Sequence, residues 1–118
     1  MAANVLVVDD DRDIRDALAQ ILTEEGFDVT EAGDGVQALA AIAKRRPDVV
    51  LLDLMMPVMN GWQVLQTLKQ SADLSTVPIV VLSAIEAHGC ADYIQKPVSL
   101  DRLLTLLDTI RARAEGVS

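Results

Sequence analysis

Val49-Val50-Leu51-Leu52-Asp53-Leu54-Met55-Met56-Pro57-Val58-Met59-Asn60-Gly61 joins an apolar run of strand length to one carboxylate and then to a loop that ends in glycine. Residues 49–52 read as an apolar strand, and strands of this kind alternating with helices along the chain mean a parallel sheet covered on both faces, an α/β sandwich. Val5-Leu6-Val7-Val8 repeats the pattern and runs into Asp9-Asp10-Asp11, Ile79-Val80-Val81-Leu82 ends in Ser83, and Tyr93-Ile94-Gln95 leads into Lys96-Pro97. In an open parallel sheet the C-terminal strand ends face one crevice. Acids, a hydroxyl and an ammonium that are remote in the chain are therefore expected on one rim.

Between these runs the apolar period changes to that of a helix. A first helix is predicted from near Arg12, with Ile14, Leu18, Ile21 and Leu22 on one face and Gly26 at its C-terminal end. A short strand, Phe27 to Thr30, follows; Asp34 then caps a helix carrying Val36, Leu39 and Ile42, which Pro47 ends. A third helix is expected from near Gly61, burying Trp62, Leu65 and Leu68, and a last one after Ser99, burying Leu103, Leu107 and Ile110. Asp11 reads as the cap or first-turn acid of the first helix rather than as a metal ligand.

At 118 residues the chain is expected to form one domain, residues 1–118, whose 51% hydrophobic content supplies its core. No apolar run approaches a membrane span, and Met1-Ala2-Ala3-Asn4 lacks a basic signal-peptide start, so the expected location is cytoplasmic. A net charge of −8 argues against direct nucleic acid binding by this domain, and the one basic cluster, Lys44-Arg45-Arg46, suits a helix C-terminus. Cys90, the single cysteine, cannot pair within the chain and reads as a small buried side chain; His88 reads as a loop residue.

The pair Asp9-Asp10, Asp53 with Met56-Pro57 and Asn60-Gly61, Ser83-Ala84, Tyr93 and Lys96-Pro97, in this order at four strand ends, resembles the receiver domain of two-component response regulators over essentially the whole chain. The resemblance implies a flavodoxin-like, doubly wound, five-stranded parallel sheet in strand order 2-1-3-4-5. It also implies a switch that accepts a phosphoryl group on Asp53 from a sensor histidine kinase or phosphotransfer protein, uses Mg²⁺, and signals through a downstream protein partner. Such a domain catalyses only its own phosphotransfer and dephosphorylation.

Crowded carboxylates repel one another unless a cation joins them, and hard oxygen donors with room for water suit Mg²⁺. The expected ligands are Asp10 and Asp53 directly, the backbone carbonyl of Met55, and Asp9 through water. Asp53 doubles as nucleophile, Lys96 and Ser83 answer the phosphoryl oxygens, and Ala84 leaves room for the group to enter. By the same resemblance Ser83 and Tyr93 form the switch. A degenerate receiver acting as a phosphorylation-independent interaction module is the alternative. A metal-dependent phosphatase is disfavoured because Met55 stands where that class carries a second acid.

One departure from the family pattern concerns length. Only residues 84–95, twelve in all, lie between Ser83 and Lys96, and they must also supply the fifth strand. Eight helical residues reach about 12 Å, whereas returning along a five-residue strand needs about 16 Å. The fourth helix is therefore expected to be truncated or absent, with at most one turn at Ile85 to His88.

Overall fold

The computed structural model describes residues 3–53, 61–70, 77–83, 93–95 and 100–114. Strands and helices follow one another as β1 (Asn4–Val8), α1 (Arg12–Glu24), β2 (Asp28–Ala32), α2 (Gly35–Lys44), β3 (Val49–Asp53), α3 (Gly61–Gln70), β4 (Ile79–Ser83), β5 (Tyr93–Gln95) and α4 (Leu100–Ala114). All pairings are parallel and the sheet order is β2-β1-β3-β4-β5, as the resemblance to receiver domains implies.

The strands alternate their side chains between two apolar layers. Val5, Val7, Val49, Leu51 and Val80 pack with Leu18 and Leu22 of α1 and with Leu103, Leu107 and Ile110 of α4. Leu6, Val8, Val50 and Leu52 pack on the other side with Ala38 and Ile42 of α2 and with Val64 and Leu68 of α3. The register of β1 on β3 is fixed at its N-terminal end by a reciprocal pair: the Asn4 N–H donates to Asp48 Oδ2 at 2.7 Å, and the Asp48 N–H donates to the Asn4 carbonyl at 2.8 Å.

The starts of α1 and α2 follow the expected caps. Asp11 Oδ1 accepts from the N–H groups of Asp13 and Ile14, and Asp34 Oδ1 accepts from that of Gln37. Gly26, just past the cap residue Glu25, has φ +94°, a conformation that glycine adopts without the cost a Cβ would bring.

Three expectations need correction. Val36 is 53% exposed and Ile14 37% exposed; the inward stripe of α2 is carried by Ala38 and Ile42, so small Ala38, not Val36, sits against the sheet. The second strand runs to Ala32 rather than Thr30, because the ladder with β1 continues through Val8↔Ala32. The return from β4 to β5 is shorter than expected: Tyr93 pairs with Val81 and Gln95 with Ser83, so the chain needs to regain only about two residues, roughly 7 Å, along the strand. Residues 84–92, on which the expected truncation of the fourth helix falls, lie outside the described residues, as do Ser99 and the side chains of Trp62 and Leu65.

At the β2 edge, Arg15 of α1 donates from Nε to Glu31 Oε1 at 3.2 Å, and the like charge of Asp16 acts on the same carboxyl group. Partial burial and the Asp16 carboxylate, in that order, raise the Glu31 pKa above its ordinary 4.5 against the opposing pull of Arg15. A carboxyl group whose pKa is raised on folding favours the folded state when protonated, so its contribution is lost as pH rises from 4.5 through the raised value. Carbon-detected titration should place Glu31 above an ordinary glutamate, and Asp16→Ala should bring it down; an unperturbed Glu31 would contradict the assignment.

The two apolar layers give a second test. Leu107 is 1% exposed, and Leu107→Ala should cost about 2–5 kcal/mol in urea unfolding. Val36→Ala, on the outer face of α2, should change stability by no more than about 0.5 kcal/mol.

Candidate metal centre

The β1–β3 register Val8↔Leu52 brings Asp9 and Asp53 level, one step beyond the last apolar layer. Continuing the alternation of Val5 and Val7, and of Val49 and Leu51, both acids leave the sheet on the α1 side. There the β1–α1 turn supplies Asp10. Carboxylate oxygens of Asp9, Asp10 and Asp53 lie within 4.8 Å of one another. Asp9 is fully buried and Asp53 is 4% exposed, whereas Asp10 is open to solvent.

The turn is held from several directions. The Asp9 N–H donates to the Ala32 carbonyl at 3.2 Å, continuing the β1–β2 ladder by one bond. Asp9 Oδ1 accepts from the Asp11 N–H at 2.9 Å, which closes the turn into α1. The Asp9 carbonyl accepts from Arg15 Nη1 at 2.8 Å. Sequence reasoning does not single out Arg15, which at the fourth position of a helix reads as an ordinary surface cation; its side chain is only 18% exposed.

Three hard oxygen donors, two of them withdrawn from water, form a set suited to Mg²⁺. Ligands on opposite sides of a Mg²⁺ octahedron stand about 4 Å apart, so a spread of up to 4.8 Å needs small shifts or a water in place of one direct bond. The exposure of Asp10 leaves a side of the cluster open to solvent and to an incoming group. Such a cluster can bind a divalent cation, and the buried Asp53 oxygen beside it can act as a nucleophile.

Among the other expected site residues, Ser83 is placed by its backbone at the end of β4, one step past Leu82, which pairs with Asp53. Tyr93 opens β5 and is paired with Val81. Met55, Ala84 and Lys96 lie outside the described residues, and nothing is described of the Ser83 and Tyr93 side chains. The structure thus brings together Asp9, Asp10 and Asp53, and sets the Ser83 backbone on the neighbouring strand end.

Comparison with known proteins identifies the family to which this fold belongs. The sequence model of the family described as response regulator receiver domain matches residues 5–108. The response regulator MprA of Mycobacterium sp. (strain KMS) is 39% identical over 96% of this chain and 52% of its own length. MprA of Mycobacterium tuberculosis (strain ATCC 25177 / H37Ra) is 38% identical over 98% of this chain and 53% of its own length. The chain therefore spans about half the length of the curated relatives it matches. Among solved structures, the chemotaxis protein CheY4 of Vibrio cholerae superposes with a TM-score of 0.86 at 30% identity, covering 93% of this chain and 99% of that one. The receiver domain of the Francisella response regulator 1452 gives 0.86 at 32% identity, covering 95% and 98%. The chain belongs to the response regulator receiver domain family of two-component signalling systems.

Proposed function

We propose that the domain is a phosphorylation-dependent switch, with Asp53 as its phosphoacceptor. The observation that carries this reading is the gathering of the Asp9, Asp10 and Asp53 carboxylates at the end of the β1–β3 pair. The phosphoryl donor is a sensor histidine kinase or a phosphotransfer protein, and the phosphorylated domain engages a downstream protein partner in the cytoplasm.

Asp10, Asp53 and the Met55 carbonyl would hold Mg²⁺ directly, and Asp9 through water. The bound cation supplies positive charge against the oxygens of the phosphoryl group. An Asp53 carboxylate oxygen attacks the phosphorus of the donor phosphohistidine; the P–O bond forms as the P–N bond breaks, and the leaving imidazole takes up a proton. Lys96 places an ammonium against the phosphoryl oxygens, Ser83 donates a hydroxyl hydrogen bond, and Ala84 keeps the entrance small-sided. Burial of Asp53 limits the approach of water, which later attacks the same phosphorus and releases inorganic phosphate. Ser83 and Tyr93 transmit the change, the hydroxyl following the phosphoryl group and the ring moving behind it.

A second reading, a receiver that acts as an interaction module without phosphorylation, is favoured by the short connection of residues 84–92 between β4 and β5. Phosphorylation separates the two. Intact mass after acetyl phosphate and Mg²⁺ should show one added phosphoryl group, absent in Asp53→Asn; a mutant labelled like wild type would sink the Asp53 assignment, and an unlabelled wild type would favour the second reading. Asp10→Asn should weaken Mg²⁺ binding about tenfold or more by calorimetry.

A further inference from the structure

We propose that Arg15 is a positioning residue for the acid cluster, a role that rests on reading the cluster as a Mg²⁺ site. Its guanidinium bridges the β1–α1 turn and strand β2. Nη1 donates to the Asp9 carbonyl at 2.8 Å and Nε to Glu31 Oε1 at 3.2 Å, one bond on the turn that carries the acids and one on the edge strand β2. The Asp9 carbonyl belongs to the peptide unit joining Asp9 to Asp10. Fixing its direction therefore fixes the plane from which the Asp10 backbone departs, and with it the relation of the exposed carboxylate to the buried ones.

The surroundings are shaped for this fork. Arg15 begins from the first turn of α1, where its N–H donates to the Asp11 carbonyl at 2.9 Å. Its guanidinium ends against Gly33, where an added Cβ would stand 3.1 Å from Nη1. The Gly33 N–H is itself held by Gln37 Oε1 at 2.9 Å, which ties the β2–α2 turn beside the guanidinium. A lysine in place of Arg15 would keep the charge but could not make both bonds in one plane.

Charge and geometry make opposite predictions here. A cation near a cation site repels the metal, so if Arg15 acted only through its charge, Arg15→Ala would tighten Mg²⁺ binding. If it positions Asp9 and Asp10, removing it loosens the ligands, and hydrogen-bond partners behind metal ligands typically matter by about 10–100-fold in affinity. Arg15→Lys isolates the fork at constant charge.

The experiment is Mg²⁺ calorimetry on wild type, Arg15→Lys, Arg15→Ala and Asp10→Asn, each first shown to be folded by circular dichroism. Arg15→Lys and Arg15→Ala should both bind about tenfold more weakly than wild type, with the Asp10 amide resonance already displaced in the metal-free variants. Unchanged affinity in Arg15→Lys, or tighter binding in Arg15→Ala, would overturn the proposal while leaving the metal site standing. A wild type that binds no Mg²⁺, or an Asp10→Asn that binds it equally well, would overturn the metal site and this role together. Should the variants fail to fold, wild type alone still decides: slow rotation of the Arg15 guanidinium by nitrogen-detected NMR is expected, and free rotation would exclude the fork.

Discussion

The parallel register of β1 on β3 is the constraint from which the rest of the molecule follows. It is set at one end by the reciprocal bonds between Asn4 and Asp48 and runs through Val8↔Leu52 to bring Asp9 level with Asp53. Both strands are buried on both faces, so a one-residue slip would send every side chain into the wrong apolar layer and part the two acids. The same apolar packing that stabilises the sheet therefore also places carboxylates that would otherwise repel one another. Burying Asp9 and Asp53 is costly by itself. The register imposes that cost at the crevice, where a cation can relieve it.

Much of this arrangement is legible in the residues because it depends on short-range periodicity. Continuous apolar runs mark the buried strands, and Asp11 and Asp34 stand where helix caps belong and act as caps. Leu103, Leu107 and Ile110 recur at helical spacing and are buried as that spacing requires. Asp9 and Asp53 are legible for the same reason, since each ends an apolar run at a strand's C-terminal end, and Asp10 follows directly on Asp9.

What escapes the sequence depends on how elements meet. Val36 has the character of a core residue, yet the rotation of α2 about its axis turns Ala38 inward instead, and periodicity alone does not choose between neighbouring stripes. The reach from β4 to β5 is overestimated when a full-length return is assumed, because the pairing of Tyr93 with Val81 is a tertiary fact. Arg15 is the clearest case. Its partners come from the β1–α1 turn and from β2, Glu31 lying sixteen positions further along the chain, and no local pattern announces a side chain that folds inward from a helix start.

The edges of the sheet have a consequence for assembly. On one side, β2 turns Asp28, Thr30 and Glu31 to solvent, with Asp28 held 2.8 Å from Arg45 and Glu31 held by Arg15. Charged side chains along a border strand discourage another chain from hydrogen-bonding to it. On the other side, β5 is only three residues long and offers a visiting strand few backbone groups. Among the described residues, neither border is suited to extension, so the sheet is guarded on both sides against pairing strand to strand with a second copy.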